Sequence, residues 1–188
     1  NYIRMKRKGL WIALAVLALT LIVVFVYVNQ RSRALSPRGE ETLTSGGMTV
    51  TVKYSRPSVR GRLIFGPAER NALQPYGKYW RLGANEATEI KFNRDITFNG
   101  TRVSAGTYRM YAIPGRDSFE IVLNTQLGES GSTLPDVKKD VLRSKVRTER
   151  ISYPVEQFTI SLAPEGDGIR MVFEWSDVRF SIPLRTAD

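Results

Sequence analysis

The sequence contains no cysteine and no histidine. The missing cysteines exclude a disulfide frame, a thiolate nucleophile, thiolate-bound zinc or iron–sulfur centres, c-type haem and an acylated lipoprotein anchor. The missing histidines exclude a serine–histidine–acid triad and imidazole metal ligation. Acidic residues are also scarce, at 18 against 28 basic ones, for a net charge of +10. That excess is unevenly placed. Residues 1–38 hold seven basic side chains (Arg4, Lys6, Arg7, Lys8, Arg31, Arg33, Arg38) and no acid, so residues 39–188 are at only +3. Basicity concentrated in one terminal segment is not the footprint of a nucleic-acid-binding domain, and no nucleic-acid partner is expected.

The terminal segment has its own explanation. Leu10 to Val28 reads LWIALAVLALTLIVVFVYV, with no charge and Thr20 as its only polar side chain. As a helix this run is about 28 Å long, close to the hydrocarbon thickness of a bilayer. Trp11 and Tyr27 lie near its ends, where amphipathic rings favour the headgroup layer. A cleaved signal peptide is the rival reading. The run is long for the apolar part of a signal, and FVYVNQ at its end offers no pair of small residues to a peptidase. The expectation is an uncleaved single-pass anchor that meets the lipid bilayer through residues 10–28. The compact cluster Arg4–Lys8 outweighs the dispersed Arg31, Arg33 and Arg38, which favours a cytoplasmic amino terminus (residues 1–9) and a periplasmic domain in a bacterial inner membrane. Met5 opens MKRKGLW, a natural start, so Asn1 to Arg4 read as the trace of an earlier start codon or of processing.

After a linker at residues 29–39, the pattern from residue 40 to 188 changes to period two. Val50, Val52 and Tyr54 alternate with polar residues, as do Phe158, Ile160 and Leu162, then Ile169 to Trp175, then Val178, Phe180 and Ile182. Thr88–Phe92, Ile96–Phe98, Thr107–Ile113 and Phe119–Leu123 complete the set. Alternation marks strands buried on one face, as in antiparallel sheets. Gly46-Gly47, Asn99-Gly100, Gly115-Arg116-Asp117 and Gly166-Asp167-Gly168 supply turn chemistry. The fold expected is an all-β antiparallel sandwich of about eight to ten strands behind one transmembrane helix. Around Thr133-Leu134-Pro135-Asp136 a helical turn capped by Thr133 is expected before a strand at 141–146. Asn99-Gly100-Thr101 matches a glycosylation acceptor, but the hairpin reading takes precedence.

Ser55 to Ala87 shows no sustained alternation, and an unstructured stretch of that length inside a domain points to function or to unrecognised structure. It carries a net charge of +4, with Tyr76, Tyr79 and Trp80 among its cations. Guanidinium groups beside aromatic faces hold carboxylates, phosphates or sugar acids well. Arg56, Arg60, Arg62, Lys78, Tyr79 and Trp80 are the candidate contacts for an anion or partner. Arg81, Glu86 and Glu89 are the candidates for structural ion pairs, and the structural reading of this segment stands somewhat ahead. The pair Glu86 and Glu89 is three residues apart, which on an extended chain places the two on opposite faces and unsuits them to act on one glycosidic bond. Neither a calcium loop nor a P-loop is present.

The runs VKYSRPSVRGRLIFG (52–66), PYGKYWRLGANEATEI (75–90), NGTRVSAGTY (99–108), DVLR (140–143), PVEQFTISL (154–162) and EWSDVRFSIPL (174–184) resemble an uncharacterised domain-of-unknown-function family of bacterial envelope proteins, frequent in Bacteroidetes and related phyla. The resemblance spans residues 36–184 and leaves out the anchor. It implies a β fold and an envelope location, and no activity. Ahead of the Asp-Val-Leu-Arg strand the family carries a Trp-Gly and a tyrosine, where this chain has Leu127-Gly128 and then Ser130 to Pro135. If that region shapes a ligand cleft in relatives, this copy has lost the ligand and kept the scaffold. The reading of the whole chain is a non-catalytic accessory subunit, without a cofactor or metal of its own. It would stabilise a larger complex of integral membrane proteins, with photosynthetic or respiratory assemblies as hosts whose cofactors other chains carry. The alternative is a periplasmic module that binds an anionic glycan, lipid headgroup or acidic protein.

Overall fold

The computed structural model describes residues 2–128 and 130–187. The chain divides after Leu35 into a helix and a β domain. Helix α1 runs Tyr2–Leu35, and its stretch Trp11–Leu35 is long and apolar enough to cross a membrane. The Thr20 hydroxyl donates to the Val16 carbonyl 2.9 Å away, so the one polar side chain of the apolar run is satisfied within the helix. The helix continues past Val28, and only Ser36 and Pro37 separate it from the first strand, so the linker is shorter than the composition suggested. Pro37 is where it must end, because proline disfavours the helical conformation of the residue before it.

The β domain contains, in chain order, β1 (Arg38–Ser45), β2 (Met48–Ser55), β3 (Phe65–Gly66), β4 (Gln74–Pro75), β5 (Thr88–Phe92), β6 (Ile96–Phe98), β7 (Thr101–Val103), β8 (Gly106–Ile113), β9 (Ser118–Asn124), β10 (Asp140–Arg147), β11 (Glu149–Glu165) and β12 (Gly168–Thr186). A six-stranded antiparallel sheet has the order β1-β2-β5-β8-β9-β10, and a four-stranded one the order β11-β12-β6-β7. Residues 65–66 and 74–75 form a two-residue parallel pair. The alternating residues of β2, β5 and β8 face those of β11 and β12 across one core. Gly46-Gly47 turns β1 into β2 with both residues at positive φ, and Asn99-Gly100 does the same between β6 and β7.

Three details depart from the sequence reading. β12 is continuous where two strands were expected: Ser176, at φ 55°, opposes Val155 at an irregularity in the ladder and bends the strand without ending it. β1 is missing from the strands read in the sequence, and its first two residues, Arg38 and Gly39, fall in the stretch taken for linker, because its alternation is carried by threonine, glutamate and glycine rather than by aliphatic residues. The turn before β10 is a 3₁₀ turn at Val137–Lys139 capped by Asp136, not by Thr133: the Asp136 carboxylate accepts from the Lys138 N–H at 3.0 Å.

The chain changes sheets at Asn93–Asp95. Asn93 accepts the Thr49 N–H at 2.7 Å and donates to the Gly47 carbonyl at 3.1 Å. Asp95 accepts the Ala105 N–H at 2.9 Å and pairs with Arg102 at 3.2 Å. Those two donors, the backbone amide first, hold the Asp95 carboxyl below the usual range.

Candidate functional site

The segment from 55 to 87 closes one end of the sandwich. Its apolar residues Ile64, Phe65, Trp80 and Leu82 are buried in the common core. Trp80 exchanges backbone hydrogen bonds with Ala112 of β8, both at 2.8 Å, and turns its ring inward. The ring stacks on Trp175 at 5.7 Å and meets Phe65 and Phe158 edge-on. At 2% exposure Trp80 cannot touch a partner, so it leaves the set of candidate contacts. Its Nε1 finds no acceptor among the described residues, a modest cost set against a large aromatic burial.

The remaining candidates do not converge. Arg56 reaches Thr159 at 3.4 Å, while its buried Nε has no partner. Arg62 folds back onto its own loop, donating to the carbonyls of Val59 (3.0 Å) and Ser58 (2.5 Å). Arg60 occupies an exposed turn at φ 50°, with its N–H on the Glu156 carboxylate at 2.9 Å. Lys78 is exposed. The expected Arg81–Glu86 pairing is replaced: Glu86 binds Arg38 at 2.7 Å and Ser55 at 3.4 Å, and Arg81 donates to the Asn85 carbonyl at 3.3 Å. Glu89 accepts only a long bond, 3.4 Å, from the Gly128 N–H and is in no ion pair among the described residues.

The concave feature lies on the outer face of the six-stranded sheet. A cavity of about 440 Å³ is lined chiefly by Arg38, Glu40, Lys53, Glu86, Glu89 and Gly128. It shares Glu40, Lys53 and Glu89 with a second depression of about 420 Å³ that adds Thr51, Lys91 and Thr107. Glu86 and Glu89 thus line the same cavity, contrary to the expectation of opposite faces. β5 begins only at Thr88, and Asn85 at φ 57° turns the chain just before Glu86, so strand alternation does not apply across the pair. Lys53 and Glu40 stand 3.7 Å apart across the β1–β2 ladder. The groove therefore presents both signs of charge in alternation.

Residues 125–128 and 130–139 form a strap beside this groove. Gly131 is the point of closest approach: a Cβ there would come within 2.8 Å of the Asn85 and Glu86 carbonyl oxygens, so no larger residue fits. The Tyr79 hydroxyl donates to the Gly131 carbonyl at 3.0 Å. Under the strap lies Arg109 of β8, 1% exposed. One terminal nitrogen donates to the Tyr79 hydroxyl at 2.6 Å and to the Thr133 carbonyl at 2.5 Å, while Nε and Nη1 have no partner among the described residues. Two residues on, the Tyr111 hydroxyl donates to the Asp140 carboxylate at 2.9 Å, and Asp140 also receives Asn124 (2.7 Å) and Arg143 (2.7 Å). Burial first, and then the hydrogen bond to the carboxylate, push the Tyr111 phenol well above its ordinary pKa. Arg109 and Tyr111 escaped the sequence reading because they sit at the solvent-side positions of a strand. Their type gave no signal, because arginine and tyrosine are ordinary residues on the solvent side of a strand.

Against known proteins, the family model for a protein of unknown function, DUF2911, matches residues 36–184. The chain belongs to this family, and the match coincides with the β domain and excludes α1. Leu127-Gly128 lies in the strap, and Gly128 lines the groove. No curated protein matches the chain. No solved structure matches it either.

Proposed function

We propose that this member of the family is a non-catalytic, single-pass membrane-anchored accessory subunit, whose β domain stands on the periplasmic side and stabilises a larger membrane complex. The observation that carries the reading is α1. Its stretch Trp11–Leu35 is long and apolar enough to cross a membrane, and from Trp11 to Val28 it carries no charge. In water such a surface aggregates, whereas in a bilayer it is satisfied, since every backbone group of a helix is bonded within it. The β domain, by contrast, buries its aromatic core completely and ties the unusual 55–87 segment into it. What the domain offers outward is a shaped and charged surface. Native electrophoresis of membranes solubilised in mild detergent tests this reading: the full chain should migrate in an assembly much larger than itself and a micelle. Migration as a monomer from its native membrane overturns it. Protease added to spheroplasts should remove the β domain, and digestion only after lysis reverses the orientation.

A second reading is favoured by the groove. Alternating Lys53, Lys91 and Arg38 against Glu40, Glu86 and Glu89 suits a ligand carrying both charges, such as a peptide segment with acidic and basic side chains, more than the purely anionic ligand that the arginine-rich segment suggested. Reversing Lys53 to Glu should abolish such binding without loss of assembly.

A further inference from the structure

Among the described residues outside α1, seven large apolar side chains are exposed, and four of them (Leu127, Leu134, Val137 and Val141) fall within the strap and the start of β10. Leu134 is 69% exposed, Val137 63% and Val141 49%. Their exposure is enforced. The Asp136 N–H donates to Gln126 at 3.0 Å, Asn124 donates to the Asp136 carbonyl at 2.9 Å, and the Thr125 N–H binds the Lys139 carbonyl at 3.0 Å. Asp136 caps the 3₁₀ turn that follows. A backbone pinned at so many points cannot fold these side chains inward, and Val141 is the extra residue at an irregularity of the β9–β10 ladder. Lys138 and Lys139 follow Val137 directly, and Lys145 and Arg147 lie further along the exposed face of β10 that Val141 begins. All four are exposed and, among the described residues, in no ion pair, whereas Arg143 of the same face is bound by Glu120 and Asp140.

We propose that this turn is a second, peripheral membrane contact: Leu134, Val137 and Val141 enter the headgroup layer of an anionic leaflet, and the four cations bind its lipid phosphates. The pattern separates lipid from protein. The cores of protein interfaces favour aromatic residues and arginine and are depleted in lysine, whereas short aliphatic side chains ringed by lysine match an interface between acyl chains and anionic headgroups. The proposal rests on the anchored reading of α1, since a tether that holds the domain at a bilayer makes a weak patch effective. Docking of this kind would fix the orientation of the domain on the membrane, which an anchor alone leaves free.

The lack of cysteine makes the test clean. Val137→Cys in the full chain, labelled with an environment-sensitive fluorophore, is reconstituted into phosphatidylcholine vesicles with or without about a third phosphatidylglycerol. A control label is placed at Ala163→Cys, exposed in the other sheet. Flotation with the vesicles reads the anchor, and quenching by headgroup-spin-labelled lipid reads the patch. The expected result is several-fold stronger lipid quenching at position 137 than at 163 in anionic vesicles, lost on Lys138→Gln with Lys139→Gln. A chain that floats while its label at 137 is no better quenched than the control overturns the docking alone. A chain that does not float overturns the anchored reading and the docking with it. A label shielded from water-borne quencher in native membranes yet unquenched by lipid in pure vesicles assigns the patch to a protein partner and equally overturns the proposal.

Discussion

Arg109 carries a charge into a place where no carboxylate comes within pairing distance among the described residues, and two of its three nitrogens are unsatisfied. Desolvating a guanidinium costs several kcal/mol, and two hydrogen bonds from one nitrogen offset only part of that. Arg109→Met should therefore leave global stability within about 1 kcal/mol of the parent, or raise it. It should also release the strap, seen as faster amide exchange at residues 130–136. A loss much larger than that in denaturant melts would mean the charge is better compensated than its contacts show. Tyr111 gives a pH signature. Its folded-state pKa lies above the unfolded value, so the folded chain keeps the proton longer. The associated stability is complete below about pH 10 and declines as the pH rises beyond it. Burial raises Tyr54 and Tyr108 in the same direction, so the informative quantity is a difference. The alkaline fall in melting temperature should be shallower in Tyr111→Phe than in the parent, and equal slopes would contradict the assignment. Neither residue was legible as special in the sequence. A period-two pattern says which way a side chain points, not what another part of the chain lays over it.

The elements were legible where the pattern was aliphatic and obscure where it was polar. β2, β5, β8, β9 and the two long strands announce themselves by alternating Val, Ile, Phe and Met, because burial on one face demands it. β1 does not, since only one of its residues is a large aliphatic. The 55–87 connection was obscure for another reason. Its core residues Ile64, Phe65, Trp80 and Leu82 are spaced by turns rather than by any period, with Arg60, Asn71, Leu82 and Asn85 all at positive φ. Charge dominated that stretch to the eye, yet its buried aromatics hold it down. The candidate site was legible only in part: Glu86 and Glu89 are in the groove, but Lys53 of β2 meets Glu89 through the pairing of β2 with β5, and Arg38 arrives through the pairing of β1 with β2, neither of which local spacing reveals. Between the two sheets Tyr54 acts as a polar tie. Its hydroxyl donates to the Ile160 carbonyl at 3.1 Å and accepts the Ile160 N–H at 3.0 Å, all within the core. Tyr54→Phe strands both backbone groups and should cost about 1–3 kcal/mol. A smaller change in urea midpoint at constant slope would show that water replaces the hydroxyl there.

On the scale of the whole molecule, the helix and the β domain are separate units, and they should separate in experiment. A chain beginning at Ser36 should remain in solution and melt in one cooperative transition, while the full chain should resist extraction by alkaline carbonate. A broad or multistep melt of the shorter chain would mean that the sandwich depends on its anchor. The order of strands carries one more consequence. β12 occupies an interior position, paired on one side with β11 and on the other with β6, where Leu184 meets Phe98 and Thr186 meets Ile96. The hairpin at residues 96–103 therefore has no sheet to join until the chain has been made through residue 186. During synthesis the early strands wait as an incomplete, adhesive surface, and closure is a single late event. Such a chain is still threadable for as long as it is being made. In the topology proposed above the domain would gain from that delay, because it would reach its final compartment before it has a shape that prevents the crossing.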